Sequence, residues 1–171
     1  MPQEDGHMEL KPDSLLLYKN RPARLVQSGD RLEIELAGGE VLKVRPKDVT
    51  LLHTGPLHSL DELQPQHGEV KAAWELLAGE RTTLLELAEL IYGALTPATV
   101  WSAWQQVADG TYFEGTPDDI RARTLEAVAR RDQEREAAEA NRREYQAFLD
   151  RVRRGETIPA DRSLLRDVEN L

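Results

Sequence analysis

Residues 82–115 read TTLLELAELIYG (82–93), ALTPATVWSAWQQVA (94–108) and DGTYFEG (109–115). In the first piece Leu84, Leu87, Ala88 and Ile91 recur at helical spacing, with Thr82 or Thr83 as cap and Gly93 as stop. The second opens on Thr96-Pro97, a capping hydroxyl followed by proline at the first helical position. Val100, Trp101, Trp104, Val107 and Ala108 then make one broad apolar face. Asp109-Gly110 is a turn signal, and Tyr112-Phe113 suits a short strand or wing. Two short helices, a tight joint and a wing outline a winged helix-turn-helix. No active-site constellation lies within it, so the stretch reads as a binding or positioning module.

The charge balance bears on what such a module binds. The 171-residue chain carries a net charge of −9 at pH 7, and the charge is unevenly spread. Residues 55–115 hold only Lys71 and Arg81 against nine acids, whereas both flanks are nearly balanced. A helix that grips duplex DNA needs cations facing phosphate, and Pro97–Ala108 has no Lys or Arg. Duplex DNA is therefore not an expected partner. There is no cysteine, so disulfide and thiol chemistry are excluded and a cytoplasmic home is the expectation. No apolar run approaches membrane-spanning length, so no membrane partner is expected. Residues 1–12 read as an acidic, frayed leader.

Outward from the centre, the chain opens with short strands. Ser14–Tyr18 and Pro22–Gln27 are apolar runs, and Arg31–Leu36 alternates with Leu32, Ile34 and Leu36 inward. Ala37-Gly38-Gly39 is a hairpin signal before Glu40–Val44. Arg45–Val49 allows one helical turn, and Thr50–His53 a last strand. Such short strands over 13–54 hide their edges best by closing into a small SH3-like barrel. The expected core is Leu16, Leu25, Leu32, Ile34, Val41, Val44 and Val49. Residues 55–67 read as a linker around a turn at Ser59–Leu63, and 68–116 as the winged unit, opened by a helix from Glu69 to Gly79.

Thr116-Pro117-Asp118-Asp119 reads as the cap of a very long helix, since neither Gly nor Pro recurs until Gly155. That helix would span roughly 38 residues, about 57 Å at the helical rise. Its apolar residues sit early (Ile120, Leu125, Val128) and late (Tyr145, Phe148, Leu149, Val152), with Arg/Glu spacings between. A further helix from Asp161 to Leu171, with Leu164, Leu165, Val168 and Leu171, has little left to pack on and reads as the lead-in to another domain. The fold class is thus α+β: a small SH3-like β-barrel, a winged helix-turn-helix unit and a long C-terminal helix.

Several segments together resemble a known family. Tyr18–Leu25 with Val44–Val49 is similar to the small N-terminal barrel of some bacterial ribonuclease II/R-type (RNB) exoribonucleases. Leu84–Ile91, Thr96-Pro97-Ala98 and Trp101 with Trp104 resemble the helical segment after it, and Tyr112–Gly115 its wing. Phe148-Leu149 with Arg162–Glu169 resembles the entry to the catalytic domain. The resemblance implies an enzyme that removes nucleotides from RNA 3′ ends with Mg²⁺. The family's aspartate cluster would lie beyond Leu171, so no catalytic residue, metal ligand or cofactor is assigned to these residues. Mg²⁺ belongs to the expected catalytic domain, which would be this module's own partner alongside single-stranded RNA.

The RNA-binding candidates are Tyr18, Lys19, Arg21, Arg24, Lys43, Arg45 and Lys47, cations pooled on one barrel surface with Tyr18 for stacking. The pooling requires the acids of Arg31–Leu36 to face elsewhere. Trp101 and Trp104 at spacing three on an apolar helix read as core rather than as base-stacking platforms. Asp118-Asp119 reads as a helix start rather than a metal site, and His53, His58 and His67 lack metal-ligand spacing. The leading function is a non-catalytic module that admits or aligns RNA. The alternative is a protein-interaction adaptor, with a DNA-binding regulator behind it.

Overall fold

Leu32–Leu36 (β3) shows why the first part folds as it does. Its alternate residues Leu32, Ile34 and Leu36 are buried, while Glu33 and Glu35 point outward. The computed structural model describes residues 10–169, with side chains as far as Arg166, so residues 1–9 of the expected leader lie outside the described residues. The fold is α+β. Leu15–Tyr18 (β1), Arg21–Gln27 (β2), β3, Val41–Val44 (β4) and Val49–His53 (β5) form one antiparallel sheet in the order β4-β3-β2-β1-β5. A single 3-10 turn, Pro46–Asp48, joins the two edge strands.

Leu16, Ala23, Leu25, Leu32, Ile34, Leu36 and Val44 make one core, with Tyr18, Leu42, Val49 and Leu51 packed against it. Both edges of the sheet therefore feed the same interior. Val41 corrects the expected core, for it is 54% exposed. Its register partner is Glu35, so the pleat turns both outward, while Leu42 faces in opposite Ile34.

Residues 55–57 are held more firmly than a linker would be. The Asp13 N–H donates to the Leu25 carbonyl (2.8 Å), and the Asp13 carbonyl accepts the Leu57 N–H (2.8 Å). Leu57 is fully buried, and a Cβ on Gly55 would lie 2.3 Å from that Asp13 carbonyl. Only glycine allows this approach. A 3-10 turn follows at Leu60–Glu62, capped by the Ser59 hydroxyl.

Val70–Leu77 (α1), Arg81–Thr82 (β6), Leu84–Tyr92 (α2), Pro97–Asp109 (α3), Phe113–Thr116 (β7) and Asp119–Ala122 (β8) follow. The second sheet runs β6-β8-β7. The helix caps stand where the sequence places them, with reciprocal capping at Thr83/Glu86 and Thr96/Thr99 and left-handed ends at Gly93 and Gly110. Trp74 fastens α1 to the chain after β8, its indole N–H donating to the Arg123 carbonyl (2.7 Å).

Thr116–Asp119 is the main correction. These residues do not start a helix; Thr116 pairs with Asp119, so Pro117-Asp118 is the tip of a tight β7–β8 hairpin. The strand period explains it. Ile120 and Ala122 are buried while Asp119 and Arg121 are exposed, and Phe113 is fully buried opposite Ala122. The unit built on α1, α2 and α3 thus runs on to Ala122, beyond the expected limit at 116.

The long helix is α4, Leu125–Arg153, with 29 residues rather than roughly 38, about 43 Å long. Residues 10–125 form one compact unit and those from Glu126 onward a second. Along α4 the Asp132–Arg135, Glu139–Arg143 and Asp150–Arg153 pairs are exposed, and Phe148 is buried near its end. Arg151 meets Asp161, which is 1% exposed and also accepts the Ile158 N–H (3.1 Å). This pair anchors the turn before Arg162–Glu169 (α5). The Val168 and Leu171 positions of the expected tail helix lie outside the described side chains.

Candidate functional site

The β1–β2 turn begins the site. Tyr18 pairs with Arg21, leaving a two-residue loop in which Lys19 (φ 46°) and Asn20 (φ 63°) are both left-handed. That is the loop geometry whose twist suits a tight hairpin. Asn tolerates this region through its short polar side chain; Lys does so at a cost. The Asn20 Oδ1 accepts the Trp104 indole N–H (3.3 Å), tying the turn to α3. Lys19 Nζ lies 5.4 Å from the Tyr18 ring centroid and Arg21 is exposed. Val49 pairs with Tyr18 on the other side of β1, so exposed Lys47 reaches the same end of the sheet through the turn just before β5.

The other three candidate cations are neutralised. Arg24 is clamped between Asp13 (2.7 Å) and Glu35 (2.6 Å), and the Glu35 hydrogen bond holds its guanidinium charged above the ordinary range. Lys43 pairs with Glu33 (3.2 Å), its cross-strand neighbour. Arg45 donates twice to Asp48 (2.9 and 3.3 Å), and this bond holds the Asp48 carboxyl below its usual range. The acids of β3 thus face Arg24 and Lys43, and the pooling expected of all six cations reduces to Lys19, Arg21 and Lys47. None of these three forms an ion pair among the described residues.

α3 offers a partner very little. Thr99 to Trp104 are buried without interruption, Trp101 at 9% and Trp104 at 7% exposure. The only charged residue of the helix is Asp109. Around the second sheet Arg81 pairs with Asp119 (3.4 Å) and Arg123 with Glu114 (3.0 Å), while Arg121 is exposed and forms no ion pair among the described residues, its cross-strand neighbours being Arg81 and Glu114. Asp118 is exposed at the hairpin tip and lines a cleft of about 380 Å³ with His53, Leu84, Leu85 and Leu95. His53 Nδ1 accepts the Gly55 N–H (2.9 Å), and burial lowers the affinity of its imidazole for a proton. Among the described residues no three His, Cys, Asp or Glu side chains converge on a possible metal position.

Sequence reasoning missed Asn20, whose side chain fixes the cationic turn, because its partner Trp104 is 84 residues away. It also missed the second hairpin, although the alternation Asp119-Ile120-Arg121-Ala122 carried that signal. No described helix is long and apolar enough to cross a membrane. No family model, curated protein or solved structure matches the chain.

Proposed function

We propose that this chain is a non-catalytic, RNA-admitting module of an RNB-type 3′–5′ exoribonuclease, working beside a Mg²⁺-dependent catalytic domain. In this reading the five-stranded sheet is an SH3-like barrel. The order α1-β6-α2-α3-β7-β8 is a winged helix-turn-helix whose second helix is used for packing. The observation that carries the RNA contact is the cluster of Tyr18, Lys19, Arg21 and Lys47 at one end of the sheet, cations without ion pairs beside an aromatic ring. Single-stranded nucleic acid is held by such a pairing of phosphate contact and stacking, and it needs local rather than net positive charge. The buried, cation-free α3 argues against duplex DNA in a major groove.

Titration of a labelled single-stranded RNA with the purified chain at low salt tests the proposal. Salt-sensitive binding without shortening of the RNA is expected. No binding would favour the adaptor reading, which rests on exposed leucines of the α1–α2 region: Leu76 at 75%, Leu85 at 44% and Leu90 at 42%.

A further inference from the structure

The cleft of about 380 Å³ that His53 and Asp118 share is lined more by apolar than by polar surface. Leu52 and Leu84 are buried in it, Leu85 and Leu95 are each 44% exposed, and Leu51 and Pro117 complete the apolar lining. The walls come from β5, the start of α2, the α2–α3 joint and the β7–β8 tip. They are tied together, for the Leu84 N–H donates to the Pro117 carbonyl (3.0 Å) and so fixes the tip against α2. Such a cleft exists before any ligand arrives.

The remaining lining groups, His53, Thr54, Thr83 and Asp118, set its charge. His53 Nδ1 accepts the Gly55 N–H (2.9 Å), and burial keeps the imidazole neutral at pH 7. The Thr83 hydroxyl is taken up in the cap of α2, where it accepts the Glu86 N–H (3.4 Å). The Glu86 carboxylate in turn accepts the Thr83 N–H (3.1 Å), so the positive end of this helix is already answered and draws no further anion. Asp118 is exposed and forms neither an ion pair nor a side-chain hydrogen bond among the described residues. No Lys or Arg lines the cleft. Glu89, one helical turn beyond Leu85 on α2, is exposed as well, and residues 55–115 carry nine acids against two cations. An apolar hollow thus sits within negative surroundings, the complement of a segment that joins large aliphatic side chains to cations.

We propose that this cleft docks a short segment of a partner protein in which large aliphatic side chains such as leucine adjoin Lys or Arg. The aliphatic groups fill the hollow against Leu52, Leu84, Leu85 and Leu95, and the cation meets Asp118 at the rim. A polypeptide fits better than a small ligand, because exposed apolar and acidic groups continue along α2 through Leu85, Glu86 and Glu89. The apolar contacts supply most of the affinity; the exposed carboxylate selects the partner's charge and adds salt dependence. None of the candidate RNA-contacting residues lines the cleft, so the proposal goes beyond the RNA reading and does not depend on it.

The test is the affinity of the full chain for a labelled peptide of three Leu-Leu-Lys-Lys repeats, read by fluorescence anisotropy. Two control peptides replace every leucine by serine or every lysine by glutamate. The Leu-Lys peptide should bind roughly tenfold more tightly than either control. Leu85→Ser/Leu95→Ser, checked by its melting curve, should weaken it about tenfold. Asp118→Lys should weaken it roughly three- to fivefold and reduce its salt dependence. Leu76→Ser removes a still more exposed leucine on α1, outside the cleft, and should change affinity by less than about twofold. No binding, or equal binding of all three peptides, would overturn the proposal. Affinity kept in both Leu85→Ser/Leu95→Ser and Asp118→Lys, or lost as much in Leu76→Ser, would move the contact off the cleft and overturn it as well. A concentration-dependent dimer abolished by Leu85→Ser/Leu95→Ser would assign the cleft to a second copy of the chain and overturn the partner segment.

Discussion

Among the described residues, two tight hairpins have two-residue tips and differ in their electrostatics. In β1–β2 the tip is Lys19-Asn20, and Lys19 and Arg21 have no ion-pair partners among the described residues. In β7–β8 the tip is Pro117-Asp118, and Arg81 and Arg123 are matched to Asp119 and Glu114. The register puts Arg121 between Arg81 on one side and Glu114 on the other. One hairpin therefore offers positive potential and the other largely cancels it. What a strongly acidic chain can bind depends on which residues stand opposite one another, not on its net charge.

The largest expected effects break the second hairpin. Phe113 is fully buried, and Phe113→Ala should cost about 3–5 kcal/mol in a denaturant titration. Gly115 has φ +124°, and a Cβ there would lie 2.2 Å from the Asp119 carbonyl. Gly115→Val should cost about 3 kcal/mol, combining left-handed strain with overpacking. Stability unchanged in either variant would mean that β7 does not pack as described.

A smaller effect belongs to the first hairpin. Asn20→Ala removes the acceptor of the Trp104 indole and a side chain suited to left-handed backbone. It should cost about 1 kcal/mol and loosen the turn. A melting temperature equal to the parent's would show that α3 does not hold this turn.

His53 gives a pH signature where β5 ends. Its folded-state proton affinity is lowered, chiefly by burial, from the ordinary histidine value of 6.5. The unfolded chain then binds the extra proton first, so this stability is complete above pH 6.5 and is lost as pH falls through the folded pKa. Asp48, Asp161 and Glu86 are also shifted downward, from 3.8, 3.8 and 4.5, and their contributions disappear only in more acid solution. Melting curves from pH 7.5 to 5 should fall for the parent and flatten for His53→Gln. A parallel fall in both would assign the slope to another group.

The two hairpins also differ in how legible they are in the sequence. β3 declares itself through Leu32, Ile34 and Leu36, and the helix stops and caps at Thr83, Gly93 and Thr96 need only local chemistry. Thr116-Pro117-Asp118-Asp119 fits a helix start as well as a turn, and the burial of Ile120 beneath a sheet decides between them. That choice is tertiary. Among the candidate cations, exposure is readable but pairing is not. Arg24 meets Glu35 because of strand register, and meets Asp13 because the chain folds back at a left-handed residue. Lys19, Arg21 and Lys47 are separated from the other three by these ion pairs alone.

RNA contact at the β1–β2 hairpin and its neighbour Lys47 is tested most directly by the salt dependence of single-stranded RNA affinity. Three proteins are compared: the parent chain, Arg21→Ala/Lys47→Ala, and Arg81→Ala/Arg121→Ala. The first pair should lower affinity at every salt concentration and reduce the log–log slope by about 0.7 for each phosphate that is no longer neutralised. The second pair should leave affinity within about twofold and the slope unchanged, since that surface is charge-balanced. The reverse pattern in folded variants, with the slope reduced in Arg81→Ala/Arg121→Ala and kept in Arg21→Ala/Lys47→Ala, would contradict this placement and move the RNA contact to the β7–β8 hairpin.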